Sequence, residues 1–104
     1  MKLGVYTAIL HDKPLPEALR VINQLGLESA EINSGGFVPS PHLPDDVLTS
    51  ATRREEYLGE FAAAGVELTA LNCNGNPLDP TRERGQKHAA DLLRSIEVLS
   101  LIHI

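Results

Sequence analysis

An internal repeat constrains this chain more than any other feature. Gly26-Leu27-Glu28-Ser29-Ala30-Glu31-Ile32-Asn33 lines up with Gly65-Val66-Glu67-Leu68-Thr69-Ala70-Leu71-Asn72, from Gly26 to Gly65 an offset of 39 residues. In each copy a helical pattern ends on glycine, which tolerates the left-handed backbone of a helix end, and an apolar run then ends on asparagine. Helix and strand alternating in this way predict parallel strands joined by right-handed crossovers, an α/β fold.

Three strand-helix units are legible. The first strand spans Lys2 to Thr7 and meets the turn His11-Asp12-Lys13-Pro14. Pro16 suits a first helical position, and Leu15, Leu19, Ile22 and Leu25 recur at helical spacing until Gly26. The second strand, Ser29 to Asn33, runs into Ser34-Gly35-Gly36. A loop rich in Pro39, Pro41 and Pro44 follows, with a helical turn expected at Asp45 to Leu48.

Thr52 and Glu55 form a capping-box pattern for the second helix, whose apolar face holds Tyr57, Leu58, Phe61 and Ala64, with Gly65 closing it. The third strand is Glu67 to Asn72. Asp79 is the expected N-cap and Pro80 the first residue of a third helix, with Leu92, Leu93 and Ile96 as its apolar stripe.

Composition bears mainly on partners. The net charge is −5, and the nine Lys and Arg are scattered, whereas neutralising a phosphate backbone needs clustered cations. Nucleic acid is therefore not an expected partner. Cys73 is the single cysteine and cannot form an internal disulfide, and no run approaches the ~18 apolar residues of a membrane span. These features predict a soluble cytoplasmic protein with a packed core and no membrane partner.

At Glu31-Ile32-Asn33-Ser34-Gly35-Gly36, at Leu71-Asn72-Cys73-Asn74-Gly75-Asn76-Pro77-Leu78 and at the opening Met1 to Thr7, the sequence resembles the xylose-isomerase-like sugar phosphate isomerases and epimerases. The resemblance covers residues 1 to about 98. It implies a (β/α)8 TIM barrel, of which residues 1–98 would supply the first three βα units. Such a barrel typically takes about 250 residues, so a chain of 104 is expected to be an N-terminal fragment, inactive alone.

The resemblance also implies a divalent metal, Mn2+, Mg2+ or Co2+, in the full-length parent. Its carboxylate and histidine ligands would come mostly from later strands, with none expected in this fragment. Two glutamates would move a proton to and from a carbon beside a carbonyl while the metal polarises the enediolate oxygens. Where relatives often carry histidines, between Cys73 and Pro80, this chain has Asn74 and Asp79.

Residues 99–104, Leu99-Ser100-Leu101-Ile102-His103-Ile104, lose the charged face of the third helix. The hexapeptide resembles the in-frame translation of a transposon-end adapter used in sequencing libraries. It is expected to be a non-native read-through tail, the alternative being a natural apolar helix end or strand.

Active sites in barrels of this kind sit at the C-terminal ends of the strands, which selects Tyr6, Thr7, Glu31, Asn33, Asn72 and Asn74 as candidates. Tyr6, Glu31, Asn33, Asn72 and Asn74 form the expected substrate-binding set; no catalytic or metal-binding residue is assigned. Asn33 and Asn72 could hydrogen-bond sugar hydroxyls, or cap turns. Glu31 lies in an apolar strand, where a carboxylate is costly unless paired; the alternatives are an ion pair or an outward register. Tyr6 could close a sugar pocket or simply belong to the core.

His11, His42, His88 and His103 lack metal-ligand spacing, and His11 reads as solvated. Cys73 reads as a small buried thiol, and Gly35, Gly36 and Gly75 as turn glycines.

The leading expectation is a fragment of a metal-dependent isomerase or epimerase acting on a sugar or sugar phosphate. A standalone α/β binding or interaction module is the alternative, and an apurinic-endonuclease-like hydrolase the third. The open strand edges and uncovered sheet face of three units predict self-association of the fragment.

Overall fold

The computed structural model describes residues 1–102. Strand β1 (Gly4–Tyr6) leads into a 3-10 turn over Thr7–Leu10. Then come α1 (Leu15–Gln24), β2 (Ser29–Gly36), the short α2 (Asp46–Thr49), α3 (Ala51–Ala64), β3 (Glu67–Asn74) and α4 (Arg82–Ile102). The strands form one parallel sheet in the order β1-β2-β3. Helices separate them in sequence because a parallel connection must carry the chain back along the full strand length. The fold is α/β, with three strand-helix units. His103, and with it the end of the expected tail, lies outside the described residues; Leu99–Ile102 continue α4.

β2 and β3 pair over eight residues each, from Ser29 opposite Glu67 to Gly36 opposite Asn74, with register irregularities at Ala30/Glu31 and Asn33/Gly35. The pairing outlasts the apolar runs of the sequence because of Gly36. Its φ is +98°, and a Cβ there would lie 2.2 Å from the Asn74 carbonyl oxygen. A residue with a side chain would push the strand ends apart.

A single apolar cluster joins Leu15, Leu19 and Ile22 of α1 to Ala30 and Ile32 of β2, Tyr57 and Phe61 of α3, Leu68 of β3 and Val98 of α4. Each Leu, Ile or Phe buried in such a cluster contributes about 1.5–3 kcal/mol over the exposed side chain. Successive strand residues point to opposite faces, so burying Ala30 and Ile32 beneath the helices turns Glu31 towards the other face.

Four sequence expectations give way here. The cap of α3 is Ser50, whose hydroxyl accepts from the Arg53 amide at 3.2 Å; Thr52 and Glu55 are exposed and do not form the expected box. Ser50 takes the cap because its backbone is extended (φ −127°, ψ 119°) just where α2 ends, which presents its side chain to the first free amides.

The third long helix starts at Arg82, not Pro80. Asp79 instead accepts from the Thr81 amide at 2.8 Å in a turn ahead of the helix. Leu25 follows the last turn of α1 and is 69% exposed.

The largest departure is the face of α4. Leu92, Leu93 and Ile96 are exposed, while Gly85, His88, Ser95, Val98 and Ile102 are buried. The reason lies in β2, whose end is Ser34-Gly35-Gly36. These residues offer little side-chain volume to pack against, and they need polar partners. Ser95 Oγ lies 2.7 Å from Ser34 Oγ, and Asp91 accepts from the Gly36 amide at 2.9 Å. A Cβ on Gly35 would come within 2.7 Å of the Asp91 Cβ, so the helix rests almost on the strand backbone. Among the described residues no helix is long and apolar enough to cross a membrane.

Candidate functional site

The site is built on the sheet face that the helices leave open. Register places Tyr6, Glu31 and Ala70 side by side on β1, β2 and β3, with Asn33 opposite Asn72 two residues further along. Alternation then puts the side chains of Tyr6, Glu31 and Asn72 on this one face. Asn72 Nδ2 donates to Glu31 Oε1 at 2.7 Å, across the two longest strands. This bond satisfies one carboxylate oxygen and fixes the rotamer, leaving Oε2 able to accept from another donor.

Tyr6 stands beside them, half-buried. Burial pushes its phenol above the ordinary value, and the charge of Glu31 adds to the shift, so the hydroxyl stays protonated as a hydrogen-bond donor through the neutral range. An open depression of about 170 Å³ adjoins the group, lined by Gly4, Ser29, Thr69 and Ala70 together with Tyr6 and Glu31. The Glu31 carboxylate, anchored by Asn72, and the Tyr6 phenol at its edge offer one acceptor and one donor to a ligand.

The other two candidates go elsewhere. Asn33 is buried and donates to the carbonyls of Val38 and Pro39 at 3.0 and 2.8 Å, while its Oδ1 accepts from the Gly35 amide at 3.4 Å. It ties the β2–α2 loop down over the strand end, which is the turn-capping alternative. Asn74 is exposed at the end of β3, and its backbone carbonyl accepts from the Phe37 amide at 3.0 Å. Thr7, first residue of the 3-10 turn, is fully buried.

Two histidines read as unremarkable in the sequence turn out to brace the rim. His42 is buried and its Nε2 donates to the Lys13 carbonyl at 2.7 Å, joining the loops after β1 and β2. Its own carbonyl accepts from the Tyr57 hydroxyl at 2.8 Å, and burial raises the Tyr57 pKa far above the ordinary range. His88 is buried where the loops after β2 and β3 meet. The apolar neighbours Pro41 and Leu43 were a usable signal for the burial of His42. Nothing comparable flanks His88. His11 is exposed, as read, and its Nδ1 lies 2.8 Å from the Ala8 carbonyl. Cys73 is a free, half-buried thiol.

Glu31 is the single carboxylate of this group, and among the described residues no set of three His, Cys, Asp or Glu side chains comes together as a metal site. A divalent cation does not fit the residues present, because one carboxylate and neutral oxygens leave most of its coordination to other groups.

No family model matches the chain. No solved structure matches it either. The uncharacterized protein YfiH of Bacillus subtilis (strain 168) is 35% identical over 105 aligned positions, which take in all of this chain and 33% of YfiH. The chain spans about a third of the length of this curated relative.

Proposed function

We propose that the chain is the N-terminal portion of a metal-dependent sugar or sugar phosphate isomerase or epimerase built on a (β/α)8 barrel and working in the cytoplasm. The observation that carries the reading is the Asn72–Glu31 hydrogen bond on the uncovered sheet face, beside the Tyr6 phenol. In a closed barrel this face would line the interior. Glu31 Oε2 would accept from one sugar hydroxyl, the Tyr6 hydroxyl would donate to another oxygen, and Asn72 would hold the carboxylate in place.

The proton-transferring glutamates and the metal ligands of such an enzyme are assigned to no residue of this chain. They would belong to the remainder of the longer protein. The relative's threefold greater length agrees with that division.

The test is solvent exchange with the longer gene product. The protein is incubated in D2O with Mn2+ and a panel of ketoses and ketose phosphates, and proton NMR follows the position next to the carbonyl. The reading expects deuterium to enter one substrate class, with Glu31→Gln and Asn72→Ala raising KM by about tenfold, the effect of losing a charged hydrogen bond. No exchange with any sugar, or variants kinetically identical to the wild type, would refute it.

The contiguous apolar cluster favours a second reading, a self-sufficient α/β binding module. Sedimentation separates the two. A module would be a cooperatively melting monomer, whereas the barrel portion would self-associate through its open edges.

A further inference from the structure

We propose that His88 is a positioning residue that clasps the β2–α2 and β3–α4 loops together, and that it lets go of the β3–α4 loop when its ring is protonated. The ring makes edge contact with Phe37 of the β2–α2 loop, with centroids 4.4 Å apart and planes at 75°. On its other side the Asn76 backbone amide lies 2.7 Å from Nδ1. Gly75 makes the approach possible, since a Cβ there would fall 2.8 Å from the ring's Cγ. One buried side chain thus holds both loops at the C-terminal ends of β2 and β3, beside the open face.

The direction of the bond sets its chemistry. A backbone amide can only donate, so Nδ1 must accept and the neutral ring carries its proton on Nε2. Adding a proton to Nδ1 sets two donors against each other in a buried place, and the bond is lost.

His42 provides the contrast. It donates from Nε2 to a carbonyl, so protonating it leaves its bond in place. The two bracing histidines therefore respond oppositely to acid. The charged group facing His88 lies on its own helix: Asp91, one turn on, whose carboxylate holds Lys87 at 2.6 Å. The two loops present Phe37, Gly75 and Asn76, which carry no charge.

This inference is independent of the isomerase reading, because its readouts are a tautomer and an amide rather than turnover. The test uses the 104-residue chain with 15N-labelled histidines, followed from about pH 8 to about pH 5, the range in which imidazoles titrate. The ring signals should place the His88 proton on Nε2 at the upper end. As the ring titrates, Asn76 amide exchange, corrected for its intrinsic pH dependence, should accelerate on the order of fivefold with the same midpoint. The His42 ring signals should still report a hydrogen-bonded Nε2 proton at the lower end.

His88→Phe keeps an aromatic ring against Phe37 but removes the acceptor. Asn76 exchange in that variant should be fast at both ends of the range, and His88→Gln, whose carbonyl can accept, should restore part of the protection. A proton on Nδ1 in the neutral ring would overturn the proposal. So would an Asn76 amide indifferent to His88 titration, a measurement that needs no variant.

Discussion

Helices α1 and α4 obey the same periodicity rule and reach opposite results. α1 buries its apolar stripe, with Leu19 and Ile22 at 0% exposure. α4 turns Leu92, Leu93 and Ile96 outward, at 43, 63 and 54%, and buries Gly85, His88 and Ser95 ahead of Val98 and Ile102 at its C-terminal end. The strand beneath decides which face is used. α1 meets the apolar side chains Ala30 and Ile32, whereas α4 meets a strand end made of Ser34, Gly35 and Gly36, where polar atoms must be satisfied and only small groups fit. Amphipathicity says that a helix has two faces; the neighbour says which one is inside.

The contrast can be broken most directly in the apolar stripes. Leu19→Ala should cost about 2–5 kcal/mol by denaturant unfolding, as a cavity in a core does, while Leu93→Ala should stay within about 0.5 kcal/mol. Equal costs would mean that the outer face of α4 is covered after all.

Next in size is the close approach of α4 to β2. Gly35→Ala combines a φ of +147° with the Asp91 contact and should cost about 3 kcal/mol, against about 1 kcal/mol for Gly26→Ala at the end of α1, where φ is +76° but space is open. The same unfolding series measures both.

The exposed stripe offers an apolar surface for association in addition to the open strand edges. Replacing Leu93 with Lys and Ile96 with Glu should shift the sedimentation profile towards monomer, whereas charges placed at exposed α1 positions such as Gln24 should leave it unchanged. Identical profiles would place the association elsewhere.

The smallest expected effect is in acid. Burial raises the Asp91 pKa, but the Lys87 hydrogen bond, the Gly36 amide and the charges of Lys87 and protonated His88 outweigh it and hold the carboxyl below its ordinary 3.8. A folded value below the unfolded one means that the carboxylate contributes stability above about pH 4, and that this contribution is lost as pH falls through the folded value. Asp91→Asn should flatten the acid limb of the stability curve, and an unchanged limb would show that its contacts with Lys87 and Gly36 contribute nothing.

The arrangement of the candidate residues was legible only in part, as with the helices. A carboxylate inside an apolar strand singled out Glu31, and an equivalent place in the repeat singled out Asn72, because both signals can be read without knowing a partner. The repeat singled out Asn33 equally, yet Asn33 holds Val38 and Pro39 while Asn72 holds Glu31. The two asparagines face each other in the register, so their different partners come from what lies above each: a loop folding back in one case, a neighbouring carboxylate in the other. The cap of α3 was missed for a related reason. Thr52 and Glu55 have the right spacing, but the end of α2 delivers Ser50 first.

By itself the sequence determined the order of strands and helices, their parallel sense and the inward face of α1, since glycine punctuation, proline placement and apolar period act over a few residues and need no partner. Only the tertiary structure decided the inward face of α4, the extra length of β2 and β3, and the roles of His42 and His88. Each of these depends on which groups far apart in sequence come within hydrogen-bond reach, and a buried polar atom takes whichever partner the packing brings to it.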